Sequence, residues 1–513
     1  MTASPKVRRV AIVGAGISGV LSAAHLLAAG IEVVVFERNN APGGVWVYNE
    51  RTALSPSYPS IRASEADLPP MECEGDEAEF TLRYAPPGPC YHNLKTNVPT
   101  PLMEVTLLDW PESTPLFAHN SIVRKYIEDL STTTGVHRHT IYSARVQEVK
   151  KDGPGWEVTW IMLQKKSTEI EHTAVGITQS HQFPFIFADQ MMLKYFDAVV
   201  LATGHYHAPR VPNIAGLAQA KKRYPTRIMH SKEYRVPDSF KDKKVLLIGG
   251  GVSSVDIAND ISPLADTIYQ STRNSHFDLD PRMLPANATR VDEVAVFHVP
   301  DDSSIEPLLE HEPLPISVQL VTGKVLNDID TIVLCTGYQI TLPFMQTYHS
   351  DITPLEEADE RLLVTDGSQV HNLHKDIFYM PDPTLAFVGL PYYTFTFSVF
   401  DFQAITVAQV FSGAVDIPSQ AEMRDEYEAK VKEVGLGKTF HSVHNKEEVY
   451  VGNLMSWVNV SRATRGLEPL SGFGPKWFAA KEAFRQRVRA EAKKAELLAQ
   501  AQAVSGEKIT SNS

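Results

Sequence analysis

Val10-Ala11-Ile12-Val13-Gly14-Ala15-Gly16-Ile17-Ser18-Gly19 decides the fold. A short apolar strand runs into a G-x-G-x-x-G turn. Apolar residues then recur at helical spacing through Val20, Leu21, Ala24, Leu26 and Leu27. Gly30 ends that helix, and a second apolar strand, 31–36, finishes on Glu37. The pattern is a βαβ unit with a phosphate-binding turn and an acid at the tip of its second strand. Gly14 permits the tight turn, Gly16 lets the backbone approach a pyrophosphate, and Gly19 lets helix and strand pack closely. The start of the helix, Ser18 included, offers free N–H groups and a positive dipole to phosphate. Glu37 suits a carboxylate that accepts hydrogen bonds from ribose hydroxyls. Glycine-rich turns occur in other α/β proteins too; strand, helix, second strand and acid in register point to a dinucleotide.

The chain has 513 residues, enough for two to three domains with a large buried core. Its net charge of −13 argues against nucleic acid or an anionic membrane as main partner. The basic clusters 221–223 and 241–244 are short and read as solvated surface. Cys73, Cys90 and Cys335 form no C-x-x-C pair, which removes a redox disulfide and fits a reducing compartment. No metal-ligand spacing of Cys and His is present, so no metal is expected. The first strand begins within ten residues of Met1, leaving no room for a signal peptide. The richest apolar run, 385–402, is broken by Pro391 and by polar positions through Asp401, so no membrane span is expected. A cytoplasmic location follows as the expectation, and a homo-oligomer stays open.

After Glu37 comes Arg38, and then Pro42-Gly43-Gly44-Val45-Trp46, a loop whose backbone can press on a flat ligand with Trp46 as an aromatic wall. Residues 47–90, rich in Pro, Ser and acids, read as a long surface excursion. Tyr91-His92-Asn93-Leu94-Lys95-Thr96-Asn97-Val98-Pro99 is a polar, proline-punctuated loop of the kind that carries function. A helix is predicted over 121–134 with Ser121 as its N-cap, and strands over 144–150 and 156–162. Residues 172–190 read as a loop or hairpin. The strand before Ala202-Thr203-Gly204 has a counterpart before Cys335-Thr336-Gly337. These two strand ends flank a second motif, Lys244–Ile248 followed by Gly249-Gly250-Gly251-Val252-Ser253-Ser254. Ser254 stands where the third glycine would be, and a small residue still lets helix and strand pack. The next strand ends without an acid, in Ser271-Thr272-Arg273. An acid would repel a 2′-phosphate, and an arginine attracts it. The reading is NADPH over NADH; the plainer alternative is an ordinary surface cation.

The fold class is therefore α/β, with two Rossmann-like dinucleotide-binding domains, one inserted into the other, plus C-terminal helices. The expected division is 1–206, an inserted 207–329, 330–472, and a helical and disordered 473–513. The C-terminal part has a helix opening at Asp401-Phe402-Gln403 and running to Phe411, then helices over 420–434 and 475–500. The last carries Trp477, Phe484 and Val488 on one face packed on the body; the tail from 503 reads as disordered.

Together these residues resemble the flavin-containing monooxygenases, and within them the soluble fungal members. The likeness covers residues 7 to 411. It rests on Gly14-x-Gly16-x-x-Gly19, Glu37 with Gly43-Gly44-x-Trp46, and Leu94-x-Thr96-Asn97-x-Pro99. It also rests on Ala202-Thr203-Gly204, Gly249-x-Gly251-x-Ser253, Cys335-Thr336-Gly337-Tyr338 and the strand from Leu385 to Pro391. The family fingerprint F-x-G-x-x-x-H-x-x-x-[FY] falls on Tyr224-x-Thr226-x-x-x-His230-x-x-x-Tyr234, with Phe and Gly replaced. Baeyer–Villiger enzymes usually carry Trp at the last position, so Tyr234 favours the N- or S-oxygenating branch.

The resemblance implies FAD on the first motif and NADPH on the second. It implies a flavin C4a-hydroperoxide that oxygenates a soft amine nitrogen or sulfur of a small molecule, with O2 as co-substrate. The family's catalytic asparagine maps onto Asn97; by its own surroundings that residue could equally cap its loop. Ser253 is implied to meet the NADP phosphates. Thr336, Gly337 and Gln403 are counted with the cofactor-binding positions. His230 and Tyr234 are implied at the domain junction, His205 and His207 at hinges, and Asp256 in packing. A Baeyer–Villiger oxidation of a ketone, or an uncoupled NADPH oxidase or flavin-binding protein, are the alternatives.

Overall fold

In the computed structural model, residues 7–67, 77–165, 185–187, 192–300, 308–309, 312–490 and 493 are described. The expected βαβ unit consists of β1 (Arg9–Val13), α1 (Ile17–Ala28) and β2 (Glu32–Phe36), with β1 parallel to β2 and Arg9 opposite Glu32. Val10 and Ile12 are buried on the face covered by α1, and Ala11 and Val13 on the opposite face. A strand apolar on both faces belongs inside a parallel sheet. β3 (Thr140–Ile141) and β4 (Ala198–Leu201) extend this sheet in parallel.

The chain then leaves for a second sheet. β5 (Ile228–His230), β6 (Lys244–Ile248), α2 (Val252–Ile261), β7 (Thr267–Ser271), β8 (Ala288–Val291) and β9 (Thr331–Leu334) follow. All five strands are parallel, in the order β5-β9-β6-β7-β8. The chain returns to the first sheet with β10 (Leu373–His374), β11 (Phe378–Tyr379) and β12 (Leu385–Phe387), giving the order β10-β11-β12-β4-β1-β2-β3. α3 (Thr396–Phe411) packs on α1, and α4 (Gln420–Val434) and α5 (Glu447–Thr464) follow. Strands Ala144–Asp152, Gly155–Lys165 and Met192–Phe196 form an antiparallel layer whose Trp156, Val158 and Trp160 cover the far face of the first sheet.

The chain crosses between the sheets twice, side by side. Ala208–Pro209 on the way out pairs antiparallel with Tyr338–Gln339 on the way back. The predicted return at residue 330 is thus too early: β9 pairs with β6 in the inserted sheet, because its apolar run completes that sheet's core.

Residues 47–90 are not a free surface excursion. Ala53 and Ala63 are buried, and Ser60 bridges to Val211 of the inserted unit. Ser55 Oγ donates to Glu233 at 2.7 Å, Lys221 lies 5.3 Å over the Tyr58 ring, and Arg235 reaches the Arg51 and Gly88 carbonyls at 3.2 Å. The described stretch 47–67 of this segment is a strap across both units.

Other boundaries also move. The helix predicted from Ser121 spans Asn120–Thr133 and is capped by His119, whose ring accepts from Ser121 N. α3 begins at Thr396 rather than Asp401, and Phe397, Ser398 and Val399 of its first turn are already buried. The last helix covers 475–490, the rest of the predicted 475–500 being described only at residue 493. Lys481 is buried there and pairs with Glu447 at 2.8 Å, and Trp477 stacks on Phe473 at 3.7 Å. Val488 is exposed and not part of that contact. Cys73, the tail from 503, and all of the predicted 172–190 loop except Phe185–Phe187 lie outside the described residues. Among the described residues no helix is long and apolar enough to cross a membrane.

The two glycine turns differ at their third small position. A methyl on Gly19 would stand 1.9 Å from the Gly14 carbonyl oxygen. Ser254 is fully buried instead, donating to Gly251 O at 2.9 Å and accepting from Gln270 Nε2 at 2.8 Å. Gly19→Ser is therefore expected to disrupt the packing of α1 on the turn, read as loss of cooperative denaturant unfolding. Ser254→Gly is expected to lower stability by about 2 kcal/mol and leave the fold intact, read by denaturant unfolding.

Candidate active site

One cavity of about 1470 Å³ is lined by both glycine turns. On its first side, Gly14 has a φ of +103°, and Gly16 starts α1 with no side-chain cap, leaving the helix N–H groups to a ligand. Gly14, Gly16 and Ser18 face the cavity; Gly19 does not, being spent on packing α1 to β1. Glu37 is 5% exposed. Its Oε2 accepts from Ala15 N at 2.7 Å, and its Oε1 from the backbone and side chain of Asn39. A carboxylate has about four acceptor positions, so one remains on Oε2 for a hydroxyl. Gly44, Val45 and Trp46 form a short 3-10 turn that lines the cavity, and Gly43 N donates to Ala15 O at 3.0 Å. Arg38 lines the cavity too.

Leu94, Thr96 and Asn97 come in from one loop. Thr96 is buried and doubly bonded to Ala118, by its N at 2.8 Å and its Oγ1 at 3.1 Å. That anchorage presents Asn97, whose side chain makes no hydrogen bond among the described residues. The loop-cap alternative for Asn97 is not what its side chain does.

On the second side, Gly249 has a φ of +123°, and Gly251 starts α2, again with no side-chain cap. Gly249, Gly251, Val252 and Ser253 line the cavity; Ser254 lies behind them. Arg273 lines it from the end of β7, its side chain 72% exposed, with Glu293 4.0 Å away. Thr336 and Gly337 line it from the end of β9, with Thr336 Oγ1 donating to Arg210 O at 2.5 Å. His230 Nδ1 accepts from Lys232 N, so its Nε2 carries the proton and donates to Gly337 O at 3.1 Å, which places it at the junction. Gln403 is fully buried behind the wall. Its amide accepts from Gly389 N at 3.0 Å and donates to Tyr450 at 2.7 Å, so it braces the Gly389 turn and does not face the cavity.

Two uncapped helix starts with opposite ends of one cavity between them fit two dinucleotides. A model of the flavin-binding monooxygenase-like family matches residues 88–283 and 314–464. The flavin-containing monooxygenase ustF2 of Aspergillus flavus is 53% identical over 96% of this chain and 100% of its own length. The chain belongs to the flavin-containing monooxygenase family. Flavin-containing monooxygenase ustF1 of the same organism is 40% identical over 96% of this chain and 93% of its own. An NAD(P)-binding Rossmann-like model matches residues 12–60. The fold is shared with an S-allyl-L-cysteine S-oxygenase of Allium sativum, at a TM-score of 0.68 and 23% identity over 96% of this chain and 95% of that one. The monooxygenase takes FAD and NADPH as cofactors, and the residues above supply donors of the right kind for both.

The sequence reading missed a buried charge cluster at the end of the cavity beside the first glycine turn. Asp67 receives Arg38 at 2.8 Å and lies 3.5 Å from Arg145 and 3.7 Å from His207. Burial opposes its charge, but Arg38 and the other cations outweigh that and hold its carboxyl well below the usual range. Burial pushes His207 and His205 down to about 4, so both rings are neutral at neutral pH. Also missed were Phe395, Phe397 and Phe400, the aromatic wall beside Trp46. Their apolar spacing reads as ordinary core. Among the described residues no group of His, Cys, Asp and Glu could hold a metal.

Asp256, on α2 at the cavity wall, is raised to about 6 by burial and by Asp260, against a 3.5 Å contact from Tyr91. A carboxyl raised in the folded state binds its proton longer than in the unfolded chain, so stability falls as pH rises from about 4 to 6. Asp256→Asn is expected to raise stability by about 2 kcal/mol at pH 7.5 and to change it little at pH 4, read by denaturant unfolding at both.

Proposed function

We propose that this enzyme transfers one oxygen atom of O2 to an amine nitrogen or a sulfur of a small molecule, using electrons from NADPH. The single observation that carries the reading is Asn97: an unpartnered amide, held by Thr96, in the one cavity that both glycine turns line. When bound, the flavin takes two electrons from NADPH and activates O2; one oxygen atom goes to substrate and the other leaves as water. Asn97 would offer its amide N–H as an uncharged donor on the cavity wall where the bound flavin supplies the oxygen chemistry. Trp46, Phe395, Phe397 and Phe400 keep water away from it. Glu37 holds the FAD ribose, and the α1 and α2 starts hold the two pyrophosphates. Arg273 reads the 2′-phosphate of NADPH.

The N- or S-oxygenating branch is favoured over Baeyer–Villiger oxidation by Tyr234. Its hydroxyl donates to Asp260 at 2.5 Å inside the nucleotide unit. Support for sulfur chemistry comes from the fold shared with the S-oxygenase of Allium sativum.

The test is turnover with NADPH, O2 and panels of amines, thioethers and ketones, following product and peroxide together. N- or S-oxides are expected. Ester or lactone products, or peroxide alone with every substrate, would overturn the reading. Asn97→Leu is expected to cut coupled product by at least about tenfold while NADPH consumption continues as peroxide release. Arg273→Ala is expected to raise the KM for NADPH at least about tenfold and leave that for NADH within about twofold.

A further inference from the structure

The wall of the cavity beside Asn97 is completed by a helix from the far end of the chain. In helix 475–490, Trp477, Ala480, Lys481 and Phe484 share one face at i, i+3, i+4 and i+7, and the residues between them are exposed. Trp477 lies in one buried cluster with Leu102 and Phe395, and Val98, Phe473, Ala480 and Phe484 pack against it. Val98, Phe395 and Phe484 all line the cavity, and Val98 is the chain neighbour of Asn97. The Phe395 ring lies 5.6 Å from that of Trp477 and 6.3 Å from that of Phe484, edge-on to both. The helix lies beyond residue 464, where the match to the family model ends.

The helix is seated by charge as well as by rings. Lys481 is 3% exposed, and a lysine is buried only where it is paired. Its ammonium donates to Glu447 at 2.8 Å and to Glu448 at 2.6 Å, both in the first turn of α5. It also lies 5.4 Å from the centre of the Phe395 ring and 5.1 Å from that of Trp477. Glu447 is itself buried and lines the cavity. Farther out, Lys476 donates to Glu104 at 2.6 Å, and Arg487 stands 4.8 Å over the Phe117 ring. Losing the Lys481 pair would leave a buried carboxylate uncompensated, which costs far more than losing an exposed pair, so Lys481 holds the helix at one register.

We propose that Phe484 is a specificity-determining residue of this monooxygenase and that Lys481 is the positioning residue that seats it. The proposal rests on the reading that oxygen is transferred beside Asn97 to an amine nitrogen or a sulfur. It adds that this atom carries an apolar, preferably aromatic, substituent that packs against Phe484, Phe395 and Val98. Rings at this spacing offer an edge or a face to a further ring, a contact worth more than the area it buries. A charged substituent would lose its water there without gaining a counter-ion, because Glu447 is already paired with Lys481.

The test uses the flavin-loaded enzyme, titrated with methyl phenyl sulfide and with dimethyl sulfide and followed by flavin absorbance, for Phe484→Ala, Phe484→Leu, Lys481→Met and Lys481→Arg. The parent is expected to bind the phenyl sulfide at least about tenfold more tightly than the dimethyl sulfide. Phe484→Ala and Lys481→Met are each expected to weaken the phenyl sulfide about fivefold and the dimethyl sulfide less than about twofold, with Phe484→Leu between and Lys481→Arg near the parent. The KM values for the two sulfides should split the same way, with kcat little changed. If the parent shows no preference for the phenyl sulfide, or if neither Phe484 variant changes the ratio of the two affinities, the proposal is overturned. If Lys481→Met lowers the unfolding midpoint but leaves that ratio unchanged, the positioning role of Lys481 is overturned and that of Phe484 stands. If the phenyl preference is lost in Phe484→Ala but the parent oxygenates no sulfide or amine, the apolar subsite stands and the N- or S-oxygenation reading fails instead.

Discussion

At the first glycine of each phosphate turn a backbone carbonyl from a neighbouring strand end presses so closely that no side chain fits between them. A methyl on Gly14 would lie 2.6 Å from Ala202 O, and one on Gly249 would lie 2.3 Å from Cys335 O. Each carbonyl ends the strand that leads out of its sheet, β4 or β9. The contact therefore sets the phosphate turn and the exit of the chain against each other. Both crossings begin beside a phosphate turn, and the space between the sheets becomes one cavity rather than two pockets. Both phosphate turns, and the strand ends beside them, take their positions from this close packing.

The half built on the first sheet depends on a second constraint, the burial of charge. Asp67 is held ionised by Arg38 with Arg145 and His207 nearby, and Arg145 also donates to the Arg83 and Tyr84 carbonyls at 2.7 Å. A buried ion survives only when it is paired and its remaining valences are used. The cluster meets that condition with groups from four separate stretches of chain. It fixes the edge of the cavity where Ala144, Arg145 and Val146 lie.

What could be read beforehand was what is local in sequence. Strand, turn and helix of each motif are contiguous, so their glycines, Glu37 and Arg273 declare themselves. Ser254 was legible as a small residue, but not as the partner of Gln270. Gln403 was misplaced because its two partners, Gly389 and Tyr450, lie on other elements, and no local pattern shows that an amide is already spent. The return crossing was set too early because β9 looks like any buried strand; only its pairing with β6 assigns it. α5 escaped notice altogether, although Val451, Leu454, Met455 and Val458 recur at helical spacing on its buried face. Its polar face is mixed enough to blur the boundary signals.

The strap formed by residues 47–67 bears on how the architecture is to be divided. By topology the second sheet is a cassette, since the chain enters and leaves it through one pair of strands. By contact it is not. The strap belongs to the first unit in sequence, yet its Ser60 pairs with Val211 and its Ser55 with Glu233. Excising the insert and joining the crossing ends would strip the strap of half its partners and leave Tyr58 without the core it packs against. Modularity in this enzyme is a property of the connection diagram and not of the folded body. Exchange of nucleotide units between relatives would have to carry the strap along with the insert.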